Sequence, residues 1–288
     1  MKRWLVLDCH YLCYRAYHST KDLSFKSKST GVIFGFLKSI IAFKDEFETD
    51  DIVFCFEHPK LHRRAIYPPY KRNRNKKPKT AEEKASFQAL AIQIKELMHR
   101  YLPKIGFKNI FSLYGMESDD TMAQIAAWQS KDKNEVILVT ADNDLFQCLG
   151  PRVSIYSPHK RKLLSDQWFF NQYRIRPPQW ALVKAIAGCS SDGVEGIKGV
   201  GEITALRYLR GELKRDSQAY KAIRSAEGRA IVRRNRALVE LPYRGCPVPV
   251  LAEDEISRAG WIEVCATLGM KSLANHPPVA TRKRGQYE

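Results

Sequence analysis

Three short apolar runs in this chain each lead to an acidic residue, and that repetition limits the fold more than any other feature. Trp4-Leu-Val-Leu7 runs into Asp8, Ile52-Val-Phe-Cys-Phe56 into Glu57, and Val136-Ile-Leu-Val139 passes through Thr140 and Ala141 to Asp142. Apolar runs of this length read as buried strands. Val153-Ser-Ile-Tyr156 is a weaker fourth candidate. Between the runs, Leu90, Ile94, Leu97, Met98 and Tyr101 keep helical spacing across 87–101, and Met122, Ile125 and Ala126 keep it after Ser118. Strands alternating with helices predict an α/β fold with a central, mostly parallel sheet. Ligands of such sheets gather beyond the carboxyl ends of the strands, which is where Asp8, Glu57 and Asp142 fall. From Pro177 the pattern changes to helices joined by glycine turns, predicting a smaller helical portion over 177–270 and a flexible tail over 271–288.

The acids demand more explanation than helix capping supplies. Glu117-Ser-Asp-Asp120 precedes an apolar-periodic helix, so Ser118 can cap it while Asp119 and Asp120 sit in its first turn, where negative charge is favourable. Capping leaves Asp142-Asn-Asp144, Asp8 and Glu57 unexplained. If these groups converge, neighbouring carboxylates about 4 Å apart repel by roughly 4 kcal/mol per pair at an effective dielectric of about 20. Something positive must then sit among them. Hard oxygen ligands suit Mg2+ or Mn2+, and two such ions about 4 Å apart can activate water and stabilise the leaving oxygen of a phosphodiester.

Charge points to the same partner. Lysine and arginine outnumber aspartate and glutamate 48 to 31, a net charge of +17 that favours a polyanion. Between His58 and Ala81 stand nine lysines or arginines and no acid, interleaved with Tyr67 and Tyr70. This segment is either a solvated loop or an arm that neutralises phosphates and offers rings to bases. Prolines at 59, 68, 69 and 78 keep it from being one continuous helix. Gly193-Val-Glu-Gly196-Ile-Lys-Gly199-Val-Gly201 precedes a helix start at Glu202, where backbone N–H groups can approach a phosphate. A plain helix–turn–helix connector fits that spacing as well, and with no strand ahead of the glycines a dinucleotide fold is set aside.

Seven cysteines without C-x-x-C spacing suggest neither a disulfide framework nor a zinc site, and most are expected to be small core residues. No apolar run reaches the roughly 18 residues of a membrane helix and no signal-peptide pattern opens the chain, so a cytoplasmic protein is expected.

Five stretches, in order, are similar to the phage and bacterial 5′ nucleases, or flap endonucleases, a family that includes the amino-terminal nuclease domain of bacterial DNA polymerase I. They are Leu5-Val-Leu-Asp8 with Tyr11-Leu-Cys-Tyr-Arg-Ala-Tyr17, Tyr70-Lys-Arg-Asn-Arg74, Glu117-Ser-Asp-Asp120, Thr140-Ala-Asp-Asn-Asp144 and Ser191-Asp-Gly-Val-Glu-Gly-Ile-Lys-Gly-Val-Gly201. The resemblance runs from about Lys2 to Gly269. It implies a three-layer PIN-like nuclease domain over 1–176 with a basic arch over about 58–100, and a helix–three-turn–helix module over 177–270 that grips duplex DNA.

Residue by residue, the resemblance places Asp8, Glu117, Asp119 and Asp120 at a first metal and Asp142, Asp144 and Asp192 at a second, with Glu57 where the family usually has aspartate. Lys71 and Arg74 match arch residues near the scissile phosphate, and with Asp8, Asp120 and Asp142 they form the expected catalytic set. Arg15, Tyr70, Lys71, Arg72, Arg74, Lys198, Gly199 and Gly201 are the expected DNA contacts, the glycines in a turn that can also hold K+. Cys189 stands where the family usually has a second-site aspartate, putting soft sulfur in place of hard oxygen. Gly193 replaces a usual asparagine.

The implied function is a structure-specific 5′-3′ exonuclease or flap endonuclease. It would hydrolyse DNA at 5′ ends, flaps or nicks by two-metal catalysis with Mg2+ or Mn2+, in replication and primer removal. RNA–DNA hybrids are further expected substrates, and a monomer resembling a phage replication protein is the expected form. Two alternatives stay open: a branched-DNA-binding protein whose catalysis Cys189 has weakened, and a PIN-type ribonuclease.

Overall fold

Leu5, Val6 and Leu7 are wholly buried, so β1 (Arg3–Asp8) forms as an inner strand, as its apolar run predicts. The computed structural model describes residues 1–72 and 80–278. Arg74, the rest of 73–79 and the expected tail from 279 onward lie outside the described residues, whereas the first part of that tail, expected to be flexible from 271, forms a helical turn, Lys271–Ala274, whose Leu273 O accepts from the Trp261 indole at 2.8 Å. Contacts gather the described chain into two units made from interleaved segments. One takes its residues from 2–56, 79–111 and 250–288, the other from 57–78 and 112–249 with Met1.

In the first unit β1 leads to α1 (Cys9–Thr20), α2 (Gly31–Phe47), β2 (Ile52–Cys55), α3 (Ala81–Glu96) and β3 (Ile110–Phe111). β1 pairs parallel with β2 from Leu5↔Ile52 to Asp8↔Cys55, and β2 parallel with β3 at Phe54↔Ile110. Helices α1 and α2, which sequence spacing had not singled out, approach closely because Gly35 has no side chain. A Cβ there would lie 2.8 Å from that of Ala16. The roughly 1 kcal/mol that glycine costs a helix relative to alanine is offset by this approach. Buried Gln93 of α3 accepts from Val32 N–H at 3.1 Å, satisfying a first-turn donor of α2 that has no partner within its own helix. The spacing expected over 87–101 is met by α3 and one π-helical turn, Leu97–Tyr101, that continues it. Part of the expected helical portion belongs here too, since the Asn109 amide donates to Ala252 O at 2.8 Å.

The second unit contains α4 (Ser118–Lys131), β4 (Glu135–Val139), β5 (Val153–Ser157), β6 (Lys162–Leu164), α5 (Trp180–Ala187), α6 (Glu202–Leu209), α7 (Gln218–Arg224) and α8 (Ala226–Val239). β4 and β5 pair parallel from Val136↔Val153 to Val139↔Tyr156, and β6 returns antiparallel along β5. Packing does not divide at residue 176. Trp180 meets Phe146, Phe169 and Tyr173 with ring centroids 5.7, 5.7 and 4.8 Å away, so aromatic burial joins α5 to the strand-bearing part. Asn235 of α8, wholly buried, donates to Ala185 O and Glu195 O, both at 2.9 Å, and so ties α8 to α5 and to the glycine-rich segment.

The fold is α/β with mostly parallel strands, as expected. All seven cysteines are free thiols, six of them buried. Among the described residues no helix is long and apolar enough to cross a membrane.

Candidate active site

Arg63 lies in a one-turn helix, Arg63–Ile66, and is 1 % exposed, so its charge must be answered inside the protein. Asp120 answers it as a fork. Its Oδ2 lies 2.5 Å from Nη1 and its Oδ1 2.8 Å from Nη2, while Arg63 Nε donates to Leu238 O at 2.7 Å and Nη2 to Glu240 O at 3.3 Å. Asp120 also accepts the backbone N–H of Tyr243 at 2.7 Å and that of Glu117 at 3.0 Å. Burial works against the guanidinium charge, but the hydrogen bonds and negative charge of Asp120, with that of Glu117, hold it firmly protonated. Glu117 is therefore the cap residue of α4, and Ser118, expected to cap, is its first helical residue.

Glu117 is the hub of a second layer. Its Oε2 lies 3.3 Å from Arg63 Nη1 and accepts from the Tyr70 hydroxyl at 2.8 Å, while Oε1 takes a short hydrogen bond from Lys71 Nζ. The Tyr70 hydroxyl is also 3.4 Å from Asp192 Oδ2, and the Lys71 ammonium 3.8 Å from Glu57. Burial alone would raise the pKa of Glu117, but the charges of Lys71 and Arg63 and the hydrogen bonds of Lys71 and Tyr70 outweigh it and hold the carboxyl below its ordinary range. The Tyr70 phenol is pushed far up by burial and by the charges of Glu117 and Asp192, so it stays a donor. Lys71 adopts a left-handed backbone with φ 56°, and its N–H donates to Asp192 O at 2.7 Å.

The third layer lies at the end of β4 and in the segment after α5. Asp142 Oδ1 accepts from Asp144 N–H at 2.8 Å, and Asp144 Oδ1 is 3.1 Å from Lys184 Nζ. Ligand atoms of Asp144, Cys189 and Asp192 all lie within 4.8 Å of one another, the one such trio of acid, cysteine or histidine groups among the described residues. Cys189 Sγ is also 3.0 Å from Ser191 Oγ. Burial and the charge of Asp142 push the Asp144 carboxyl up to about 6 against the opposing pull of Lys184. Burial and the charges of Asp144 and Asp192 likewise raise the Cys189 thiol. Two oxygen donors and one sulfur at such spacing fit a divalent cation, which would replace the single charge of Lys184 with a double one.

The expected residues fall into distinct environments. Glu57, Glu117, Asp120, Tyr70, Lys71 and Asp192 are joined through the contacts above, and Asp142 and Asp144 continue from Asp192. Asp119 is half-buried on the first turn of α4, where its charge reaches Cys148, a thiol raised to about 12 mainly by burial. Asp8 belongs to the first unit, ends β1, and accepts from Tyr11 N–H at 3.0 Å. Arg15 is exposed on α1 and Arg72 is exposed beside Lys71. Two expectations need correcting. Tyr70 offers no ring to a base, because it is 2 % exposed and held among carboxylates, and Lys71 is anchored in the acid cluster, where either a solvated loop or a flexible phosphate-neutralising arm was expected. Tyr67 likewise has the Arg234 guanidinium 4.9 Å from its ring centroid. Arg63 and Lys184, the counter-charges, were missed. The required positive charge was visible in the sequence but not its source.

A short antiparallel ribbon, Gly188–Cys189 with Val194–Glu195, precedes the glycine turn, where no strand was expected. Gly193 has φ 69°, a conformation glycine and asparagine both accept, which accounts for the exchange of one for the other. Gly199 has φ 77° and Gly201 caps α6 without a side-chain hydrogen bond. A Cβ at either would meet nothing within 4 Å, so the backbone there is open to an outside group, and Lys198 beside it is exposed.

The family model described as the amino-terminal, resolvase-like domain of 5′-3′ exonucleases matches residues 3–174. DNA polymerase I of Thermus aquaticus is 33% identical over 209 residues, 72% of this chain and 24% of the polymerase, so the chain spans about a quarter of the length of that relative. A 5′-3′ exonuclease of Buchnera aphidicola is 26% identical over 72% of this chain and 69% of its own. Among solved structures, a bacteriophage T5 flap endonuclease in complex with DNA and metal ions superposes with a TM-score of 0.71 at 22% identity, covering 84% of this chain and 90% of that one. Flap endonuclease-1 from Methanococcus jannaschii gives 0.53 at 18% identity, covering 95% and 90%. At such identities the structural likeness concerns the fold alone, and it is the sequence matches that carry the assignment: the chain belongs to the 5′-3′ exonuclease family.

Proposed function

We propose that the chain is a divalent-metal-dependent, structure-specific 5′ nuclease that hydrolyses DNA at 5′ ends, flaps or nicks. The observation that carries the reading is the trio Asp144, Cys189 and Asp192, close together, joined through Tyr70 to Glu117, and flanked by lysines. Mg2+ or Mn2+ bound there would supply positive charge to a scissile phosphate and lower the pKa of water. The chain's own residues do the rest. Asp144 and Asp192 hold the cation, with Asp142 fixing the backbone that presents Asp144. Tyr70 and Lys71 fix Glu117, and the Lys71 ammonium is a nearby source of charge for phosphate oxygens.

The open turn at Gly199 and Gly201, leading into α6, would take the phosphates of the duplex as part of a helix–three-turn–helix element within the second unit. The DNA seen with the T5 protein of like fold, and the exonuclease names of the relatives, accord with this substrate.

Digestion of a labelled 5′-flap duplex, with and without chelator, tests the reading. Cutting near the junction that needs Mg2+ or Mn2+ and fails in Asp144→Ala supports it, and unchanged cutting in that variant would sink it. Cys189 favours one further reading, a branched-DNA-binding protein with weakened catalysis, because its raised thiol is a poor ligand for a hard cation. Tight binding of the flap with no cut in either metal would select that alternative.

A further inference from the structure

Within the second unit, α5, α7 and α8 line an open cavity of about 840 Å³ whose lining includes none of Asp144, Cys189 and Asp192. Its floor is apolar, with Leu182 and Ile186 of α5, Ile223 of α7 and Val232 of α8, and Tyr208 and Tyr243 stand on its walls. Arginine forms the rim. On α8 the residues Arg229, Val232, Arg233 and Arg236 recur at three- and four-residue intervals, so one stripe of the helix faces the cavity. Arg224 and Arg244 complete the rim, and all five guanidinium groups belong to exposed residues. Glu240 is the one carboxylate in the lining, and it pairs with Arg236 at 2.8 Å. Arg224, Arg233 and Arg244 make no ion pair among the described residues.

We propose that this cavity is a binding site for one or two unpaired nucleotides. Three properties point there. Several arginines crowded on one rim repel one another unless an anion joins them, and their planar forks suit phosphate. An apolar floor with aromatic walls suits nucleobases, which stack without regard to sequence. The volume falls in the range of sites that enclose a small organic ligand and is too small for a duplex. An acidic peptide shares the charge requirement. The nucleotide is favoured because the far wall is the segment that holds the acid cluster: Glu240 O accepts from Arg63, and Tyr243 N–H donates to Asp120. An occupant pressing on 240–244 therefore acts on the two groups that steady Glu117, which gives a nuclease a way to register a single-stranded tail. This coupling, and with it the preference for a nucleotide over an acidic peptide, rests on the nuclease reading, whereas the anion-binding cavity itself does not.

Binding is accordingly measured without cleavage, by fluorescence anisotropy of a labelled four-residue oligothymidylate in chelator. The wild-type chain should bind it with a strong salt dependence, and Arg233→Glu with Arg244→Glu should weaken binding at least tenfold at unchanged melting temperature. Val232→Trp, which fills the floor without changing charge, should weaken it as well. Equal binding by wild type and both variants would overturn the proposal. So would an acidic, aromatic hexapeptide that binds tightly where the oligonucleotide does not. Loss of flap cutting with oligonucleotide binding intact would count against the nuclease reading alone.

Discussion

At Asp144, folding opposes the negative charge that the proposed metal site requires. In the protein without metal its carboxyl is raised from an ordinary 3.8 to about 6, chiefly by burial and by Asp142. The folded state therefore holds that proton more tightly than the unfolded chain, so the associated stability is present below the ordinary value and is lost as pH rises through about 6. Asp144→Asn should raise the melting temperature of the chelated protein at neutral pH, change it little near pH 4, and abolish the stabilisation by added Mn2+. A variant less stable at both pH values would contradict this account. Cys189 is the complementary case. Cys189→Asp restores an oxygen donor within reach of Asp144 and Asp192, so Mg2+ should saturate flap cutting at a lower concentration and the preference for Mn2+ over Mg2+ should narrow. An unchanged metal titration would place position 189 outside the coordination shell. The acids were legible in the sequence because each follows an apolar run or opens a helix, whereas their counter-charges were not. Arg63 lies 57 positions from Asp120 and Lys184 lies 40 from Asp144, and nothing in local spacing links them. Tyr70 was misread for a similar reason. A ring beside lysines suits a base and a buried carboxylate equally well, and only packing decides.

At the scale of elements, strands buried on both faces announce themselves as apolar runs, and β1, β2, β4 and β5 fall where those runs are. Helix α2 was harder to see because it carries Gly31 and Gly35, which propensity disfavours and close packing on α1 requires. The one-turn helix at Arg63 matters through its side chain. Arg63→Ala would strand the buried Asp120 carboxylate and should cost about 3–5 kcal/mol in urea unfolding. A loss under about 1 kcal/mol would show that the pair is more solvated than its burial implies. The glycine turn separates conformation from recognition. Gly199 has φ 77°, so Gly199→Ala should lower stability as well as duplex affinity. Gly201 has φ −88°, an ordinary value, and open space where a Cβ would go, so Gly201→Ala should leave melting unchanged and weaken duplex binding alone. Equal duplex affinity in Gly201→Ala and wild type would remove the turn from the DNA-binding surface.

For the whole molecule, the interleaving of its two units decides what can be tested. The chain passes between them several times, through 2–56, 57–78, 79–111, 112–249 and 250–288, so no single truncation yields one unit without cutting the other. Every other expected metal ligand belongs to the second unit, and Asp8 alone belongs to the first. A point substitution can therefore ask whether the first unit contributes to the chemistry. Asp8 also has a structural duty, because its Oδ1 accepts Tyr11 N–H at the start of α1. Asparagine is as good a helix cap as aspartate, whereas alanine there costs roughly 1 kcal/mol. Asp8→Asn thus removes a negative charge and keeps the cap. If capping were its whole role, the variant would cut as wild type does. If the charge serves a divalent cation, Asp8→Asn should melt within about 2 °C of wild type, bind a flap duplex with similar affinity, and cut it about 100-fold more slowly, since an outer partner of a metal site is commonly worth 10- to 100-fold and a direct ligand at least as much. Asp8→Ala should show the same loss of cutting with an added loss of stability, and wild-type cutting by Asp8→Asn would confine the reaction to the second unit.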